Sequence, residues 1–284
     1  MMRRSRFGLS SSVALAAVCV LAYASPAGAQ GFLGGNLRPF AVLAGTTVTC
    51  AGASAITGDV GVSPGAAIVG FPAPCNDVGT LHGGDVTAAN GQADLTTAYN
   101  TLAALPCAST VGPNLAGLTL TPGVYCVGAI ASNLTGVLTL DAQANPNAVF
   151  VFQMSSTLIT SPNSTVSIIN GGNACGVEWQ VSSSATIDTN TTFVGNILAL
   201  TAITMNNGAS LTGRALARNA AVTLNNNNIS FLACGAGSGP GGTPPPFPPV
   251  GVPTLPPLAT WALAAILLGG GAYLINRRGQ RAAR

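Results

Sequence analysis

Apolar residues occupy every second position in short segments along most of the chain, and Gly or Asn separates one segment from the next. This alternation is typical of short β-strands. One phrase occurs twice, because FVGNILA (193–199) is followed 18 residues later by the similar LTGRALA (211–217). A third version, GASAITGD (52–59), resembles GASLTGR (208–214) with one residue inserted. The chain therefore repeats one structural unit, at both ends of its central part.

Irregular repeats of about 18 residues or more, each with several short strands, are typical of a β-solenoid. The echo of residues 208–214 in residues 52–59 predicts that the N-terminal and C-terminal coils are equivalent and stack together. The alternative is a β-sandwich, which requires turn signals every 8 to 12 residues (about one hairpin each) and no internal repeat. The pattern favours a mainly β fold built as a solenoid.

One window has the period of an α-helix instead. Leu95, Tyr99 and Leu102 recur at helical spacing within VTAANGQADLTTAYNTLAAL (86–105). Asp85 can cap the start of this segment, and Pro106 ends it. We therefore expect one helix between about residues 85 and 104, packed along one side of the solenoid.

Equivalent side chains of stacked coils form rows with a spacing of about 4.8 Å. The inward rows are apolar, with Ile187 beneath Met205 and Phe193 beneath Leu211. Two outward rows of small polar residues are predicted. The main row consists of Ser54, Ser164, Thr189, Thr191, Thr192, Asn207, Ala209 and Ser210. The alternative row consists of Thr186, Thr204 and Thr223.

Charge is scarce, since 6% of the residues are charged against an average of about 25%. Seven of the ten arginines lie near the termini, and the middle of the chain carries three arginines and seven acids. This distribution argues against a nucleic-acid partner. His82 is the one histidine, G-x-S-x-G is absent, and the acids form no calcium loop. The sequence predicts no enzymatic activity, no cofactor and no metal site.

Both ends have the composition of targeting segments. Residues 1–29 read as a signal peptide with cleavage after Ala27-Gly28-Ala29, a membrane anchor being the alternative. The predicted folded domain covers residues 30–236 and is followed by a Gly/Pro-rich linker (237–257). Residues 258–276 are long and apolar enough for a transmembrane or sorting helix, and a basic tail (277–284) completes the chain.

Six cysteines remain after removal of the signal peptide, and an even number in an exported protein suggests disulfides. Six cysteines allow 15 pairings. Short loop closures favour Cys50–Cys75 and Cys107–Cys126, which leaves Cys175–Cys234. A zinc site is the alternative, although the sequence lacks a C-x-x-C pair.

Nearly all of residues 38–234 resembles the microbial ice-binding protein family with a discontinuous right-handed β-solenoid and a flanking α-helix. The phrases that carry the resemblance are FAVLAGTTVTC (40–50), ITGDVGVSPG (56–65), DLTTAYN (94–100), LAGLTLTPGVY (115–125), LTLDAQANPNAVFVFQ (138–153), WQVSSSATI (179–187) and residues 191–224. The resemblance implies a three-faced solenoid, present as a monomeric domain, with a flat face of small residues that binds the surface of an ice crystal.

Some members of the family carry a T-A/G-x-T/N motif on that face. Thr201-Ala202-Ile203-Thr204 matches it literally, whereas Thr189-Asn190-Thr191-Thr192 and Asn207-Gly208-Ala209-Ser210 match it imperfectly. The imperfect pair supports the main row, and the resemblance implies inhibition of ice growth or recrystallisation there. The alternative function is a cell-surface adhesion or matrix protein that uses the same solenoid without binding ice.

The C-terminus resembles a sorting signal of the IPTL-CTERM kind, with Val252-Pro253-Thr254-Leu255 at the position of the signature tetrapeptide. The resemblance implies a Gram-negative bacterium and a membrane contact through the C-terminal helix. A sorting protease would then cut near the tetrapeptide and leave the domain at or beyond the cell surface. The alternative is a permanent membrane anchor.

Overall fold

The computed structural model describes residues 32–128 and 131–231, which form 24 strands and one α-helix. The first twelve strands are β1 (Phe40–Ala44), β2 (Thr47–Ala51), β3 (Ala55–Thr57), β4 (Asp59–Val62), β5 (Ala67–Val69), β6 (Asn76–Asp77), β7 (Leu81–Gly83), β8 (Ser109–Val111), β9 (Thr119–Leu120), β10 (Gly123–Val127), β11 (Ser132–Leu134) and β12 (Val137–Asp141). The others are β13 (Phe150–Met154), β14 (Leu158–Thr160), β15 (Thr165–Ile169), β16 (Val177–Val181), β17 (Ala185–Ile187), β18 (Thr192–Val194), β19 (Asn196–Ala199), β20 (Ile203–Met205), β21 (Ser210–Thr212), β22 (Ala215–Ala217), β23 (Val222–Asn225) and β24 (Asn228–Ser230). The α-helix, α1, spans Val86–Ala103, and a short 3-10 helix spans Ala174–Gly176.

The strands form three parallel sheets, and each full coil contributes one strand to each sheet. Sheet A has the order β7-β4-β1-β22-β19-β16-β13-β10-β8. Sheet B has the order β11-β14-β17-β20-β23-β2-β5, and sheet C has the order β6-β3-β24-β21-β18-β15-β12-β9. The predicted solenoid with one helix is confirmed.

The solenoid is discontinuous along the chain. The last coil, β22 to β24, pairs with the first coil, β1 to β3, through registers such as Thr223 with Thr49 and Ile229 with Ile56. This is the stacking that the early echo of the repeat predicted. Because β7 and β8 lie at opposite ends of sheet A, α1 must carry the chain back along the solenoid between them.

The helix observed agrees closely with the predicted one, because its end signals lie in the sequence. Asp85 accepts a hydrogen bond from the backbone N–H of Ala88 at 2.8 Å and so caps the first turn. The buried face of α1 includes Leu95 and Leu102, which pack in one cluster with Leu198 and Leu216 from the outer side of sheet A. Gly91 lies where a Cβ would come within 2.8 Å of the Phe40 ring, so the glycine permits the close approach of helix and sheet.

The interior of the solenoid is a second apolar layer. Ile187 pairs with Met205 and Phe193 with Leu211, as predicted for the inward rows. The rings of Phe152 and Trp179 stack with centroids 4.0 Å apart. Both the inward pairs and the ring stack follow from the coil repeat, which places equivalent side chains above one another.

The glycine of the repeated phrase has a conformational reason. Gly195 and Gly213 lie at the corner between sheets C and A with φ of 114° and 150°, respectively. A Cβ on Gly213 would meet the carbonyl oxygen of Gly195 at 2.0 Å. The corner therefore requires glycine in each of these coils.

The structure contains two of the predicted disulfides, Cys50–Cys75 and Cys107–Cys126. The third pair stays a prediction, because Cys234 lies outside the described residues. The signal peptide (1–29), the linker (237–257) and the C-terminal helix (258–276) also lie outside them. Within residues 32–128 and 131–231, no helix has the length and apolar character needed to cross a membrane.

Candidate binding faces of the solenoid

Sheets B and C present open outer faces, whereas the outer face of sheet A is covered. Side chains on the outside of sheet A, such as Val151 and Leu216, are buried in the same apolar cluster as α1 and Leu37. At the sides of the solenoid, a ligand with an extended surface can therefore contact sheet B or sheet C, but not sheet A.

A straight row of threonines runs along the outside of sheet B. Its members, Thr186, Thr204, Thr223 and Thr49, are paired in register on four adjacent strands. The row forms because each strand alternates inward and outward side chains: Ile203 and Met205 are fully buried on either side of the half-exposed Thr204. At the usual strand spacing the four threonines span about 14 Å. The predicted alternative row is thus one continuous feature, extended by Thr49, which the sequence reading missed.

The same four strands carry one short pattern that could have revealed Thr49. The four phrases are Thr46-Thr47-Val48-Thr49, Ser183-Ser184-Ala185-Thr186, Thr201-Ala202-Ile203-Thr204 and Ala220-Ala221-Val222-Thr223. In each of them the third residue is buried and the fourth belongs to the outward row. The literal match to the T-A/G-x-T/N motif therefore lies on sheet B, with Ile203 in the core.

Sheet B is bordered by short turns along this row. Between the strands of sheets A and B, the coils that carry these four threonines have turns of two to four residues, as they do between sheets B and C. By contrast, the long loops 142–149 and 170–176 follow strands of sheet C. In addition, β15 and β18 of sheet C share a single register pair, Thr165 with Thr192. Sheet B is consequently the more regular of the two open faces.

Half of the predicted main row is wrong, because its side chains point into the protein. Ser54, Ser164, Thr191 and Ala209 are all buried, with at most 2% of their surface exposed. Each of these four residues directly precedes a strand of sheet C and turns inward at the corner between sheets B and C, where a hydroxyl can satisfy the turn. Ser164 Oγ lies 2.7 Å from the carbonyl oxygens of both Leu134 and Ser161, and its one O–H can donate to either of them.

The other half of the predicted main row is exposed or half-exposed but does not lie on one surface. Thr192 and Ser210 pair in register on sheet C, which confirms that they occupy adjacent rungs. Thr189 and Asn207 precede them in the turns of the corner. Thr189 is engaged locally, since its backbone N–H donates to Asp188 Oδ1 at 2.7 Å. The main row is therefore divided between sheet C and a corner.

Asparagines of the run Asn225-Asn226-Asn227-Asn228 stabilise this corner. Asn226 Nδ2 donates to Asn207 Oδ1 at 2.7 Å in the next coil. Asn227 is buried, and its Nδ2 donates to the carbonyl oxygens of Asn206 and Ala209 at 2.9 and 3.0 Å. Asn190 and Asn226 have positive φ, a conformation that asparagine tolerates. These asparagines connect neighbouring coils. The regular spacing of Asn190, Gly208 and Asn226 is the sequence signal that could have indicated this corner.

Charged groups lie away from the centre of sheet B. Asp188, at the corner, has its pKa held below the usual range, chiefly by the hydrogen bond from the Asn206 side chain. Glu178 is buried on the covered side of sheet A, and desolvation raises its pKa to about 8. His82 Nδ1 lies 2.7 Å from Asp85 Oδ2 and Nε2 lies 3.6 Å from Asp59 Oδ2. This group connects β4 and β7 to the start of α1.

The fold and its open faces define a class of protein: a rigid β-solenoid whose uncharged, regular face suits an extended surface. The comparisons with known proteins agree with this class. The profile of the Ice-binding-like family matches residues 42–230, and the chain belongs to that family.

Several relatives of known sequence or structure are named ice-binding proteins. An ice-binding protein of Nostoc sp. (strain HG1) is 50% identical over 198 residues, which are 69% of this chain and 72% of that protein. The crystal structure of an ice binding protein from an Antarctic biological consortium has a TM-score of 0.68 and 42% identity, covering 79% of this chain and 95% of that one. The ice-binding protein of Antarctomyces psychrotrophicus has the same TM-score with 36% identity, covering 72% and 98% of the two chains.

Proposed function

We propose that this protein binds ice through the outer face of sheet B, centred on Thr186, Thr204, Thr223 and Thr49. The observation that carries the proposal is their register, which places one threonine on each of four adjacent strands. Adsorption to a growing crystal through this face would inhibit ice growth or recrystallisation. The names of the relatives support the choice of ice as the ligand.

The physical case rests on the order that such a face imposes on water. Threonine side chains on parallel strands repeat at the strand spacing, and β-branching restricts their χ1 rotation. Fixed methyl and hydroxyl groups can hold a layer of water in one arrangement that merges with ice. Charged side chains would orient water differently and move more, and the row carries none. Packing of the buried Ile203 and Met205 beneath Thr204 supplies rigidity.

Sheet C is the competing face, because Thr192 and Ser210 also form an outward pair. Two arguments favour sheet B. The four threonines continue across the junction between the last and first coils without a break in register. Sheet C, in contrast, has a single pair between β15 and β18 and adjoins the long loops. A flat crystal plane is matched better by the regular face.

Substitution of Thr204 by Tyr tests the proposal, with Ser210→Tyr as the matched control on sheet C. Each change adds bulk to a half-exposed position of a three-residue strand. We expect Thr204→Tyr to abolish thermal hysteresis and ice adsorption and Ser210→Tyr to preserve both. Circular dichroism should report folded protein in both cases, because surface changes usually alter stability by less than about 0.5 kcal/mol.

The reverse pattern, with loss only in Ser210→Tyr, would move the site to sheet C. If the unmodified protein neither adsorbs to ice nor inhibits recrystallisation, ice binding itself is wrong, and an adhesion or matrix role replaces it. The three results are distinguished by measurements on three proteins under one set of conditions.

Export to the cell surface or beyond is the second part of the proposal. Two disulfides among the described residues support an oxidising compartment. We expect mature protein to begin at Gln30 and, after processing at the sorting signal, to lack residues beyond about 257. Mass spectrometry of the surface-released protein measures both ends, and a peptide containing Trp261 would contradict the processing and favour a membrane anchor.

A further inference from the structure

The threonine row of sheet B continues at both ends with apolar side chains. Thr186 pairs with Ile159 on β14, and Thr49 pairs with Val69 on β5. Both side chains are exposed, Ile159 to 39% and Val69 to 52%. Six β-branched residues thus follow one another on adjacent strands, in the spatial order Ile159, Thr186, Thr204, Thr223, Thr49 and Val69, and Asn133 on the edge strand β11 lies beyond Ile159.

All six residues of this row are β-branched, and the group that they share is a γ-methyl. The hydroxyl is present on four of them only. Threonine and valine have nearly the same shape, and β-branching limits rotation about χ1 in all three residue types. The row is therefore a line of six methyl groups with restricted orientation, interrupted neither by alanine nor by serine. At the strand spacing it spans about 24 Å.

Exposed isoleucine and valine at its ends call for an explanation beyond strand propensity. Large apolar side chains on a surface lose the free energy that burial would supply, and these two lie in register with the outward threonines of sheet B. Here the two side chains occupy the one outward position of their strands that continues the row. Their placement has a function if the ligand contacts the whole row.

We infer that Ile159 and Val69 are contact residues of the ice-binding face and that its recognised feature is the line of methyl groups rather than the hydroxyls. This inference rests on the proposed function of sheet B. Water beside an apolar group has restricted orientations, which suits a layer that must adopt the order of ice. A hydroxyl, which can rotate its hydrogen to suit a neighbour, imposes less order.

Val69 offers a matched control on another face. Val137 lies on sheet C and has 51% of its surface exposed, against 52% for Val69. Val69→Ser and Val137→Ser therefore remove the same two methyl groups from equally exposed positions. We expect Val69→Ser to lower thermal hysteresis measurably and Val137→Ser to leave it unchanged, with similar melting temperatures for both. Ile159→Ser should behave as Val69→Ser, whereas Ile159→Val, which keeps a γ-methyl, should retain activity.

Thr204 separates the two chemical groups at the centre of the row. Thr204→Val keeps the methyl and should retain most of the hysteresis, whereas Thr204→Ser keeps the hydroxyl and should lose most of it. The opposite order would overturn the methyl assignment. Unchanged hysteresis in both Val69→Ser and Ile159→Ser would overturn the extension of the face. Neither result affects the proposed function, which fails only if Thr204→Tyr retains activity or the unmodified protein has none.

Discussion

Replacing the buried Glu178 by glutamine should make the protein more stable at neutral and alkaline pH. The Glu178 side chain has 1% of its surface exposed. Its Oε1 accepts a hydrogen bond from Asn196 Nδ2 at 3.1 Å, and its Oε2 has no hydrogen-bond partner among the described residues. Desolvation therefore raises the pKa of this carboxyl from 4.5 to about 8, despite the opposing effects of Asn196 and Arg214. Glu178→Gln is a nearly isosteric change that keeps the Asn196 contact.

The magnitude follows from the difference between the folded and unfolded pKa values. Below pH 4.5 the carboxyl is protonated in both states, and its pKa difference costs no stability. As the pH rises from about 4.5 to about 8, the unfolded state releases the proton and the folded state retains it, so the free energy of unfolding falls. At about 1.4 kcal/mol for each pH unit, the loss reaches roughly 5 kcal/mol near pH 8. Arg214 contributes little to the pH dependence of stability in this range, since burial lowers its pKa only to about 10.

The assay is denaturant unfolding of the unmodified protein and of Glu178→Gln at several pH values between 4.5 and 8.5 (about half a unit apart). We expect the stability difference in favour of the variant to grow through this window. Asp141→Asn is the control, because a hydrogen bond from the Asn170 side chain lowers the pKa of Asp141. That substitution removes stability present above the unfolded pKa and lost in acid, which is the opposite sign. Parallel curves for the unmodified protein and Glu178→Gln would refute the role of burial.

Three further substitutions test the core, one disulfide and the corner glycine. Trp179→Ala removes a fully buried ring stacked on Phe152 and should lower the free energy of unfolding by about 3–5 kcal/mol in chemical denaturation. A cost below about 1 kcal/mol, close to that of a surface substitution, would contradict tight packing. Joint replacement of Cys50 and Cys75 by Ser should lower stability by about 2–4 kcal/mol, and an unchanged melting temperature under both reducing and oxidising conditions would be inconsistent with that contribution. Gly213→Ala should destabilise strongly through its contact with the Gly195 carbonyl, whereas Gly171→Ala, in open space at φ 84°, should cost only backbone strain. Equal melting temperatures for the two glycine variants would show that the contact is relieved without cost.

Features with local causes were predictable from the sequence. The helix was bounded correctly, because its cap at Asp85 and its stop at Pro106 are adjacent to it in the chain. The inward pairs, Ile187 with Met205 and Phe193 with Leu211, followed from the 18-residue repeat, because core packing requires the same apolar pattern in each coil. Short loop closure likewise indicated Cys50–Cys75 and Cys107–Cys126.

The candidate face was predictable only in part, since alternation of side chains fails at the corners. Within a strand, the period of two assigns Thr204 to the outside once Ile203 is inside. At a corner the backbone changes direction, and no period in the sequence reveals that Ser164 and Thr191 turn inward to satisfy the turn. Hydroxyl residues of identical type therefore have opposite orientations in neighbouring segments.

The sequence by itself determined the kind of fold, the helix and the apolar interior, because these depend on periodicity and on neighbouring residues. Only the tertiary structure decided which outward residues share a surface. Thr49 adjoins Thr223 because the first coil stacks on the last, and Val69 extends the row because β5 pairs with β2. Such contacts join distant segments of chain through backbone pairing, which depends on the assembled coils rather than on any local pattern.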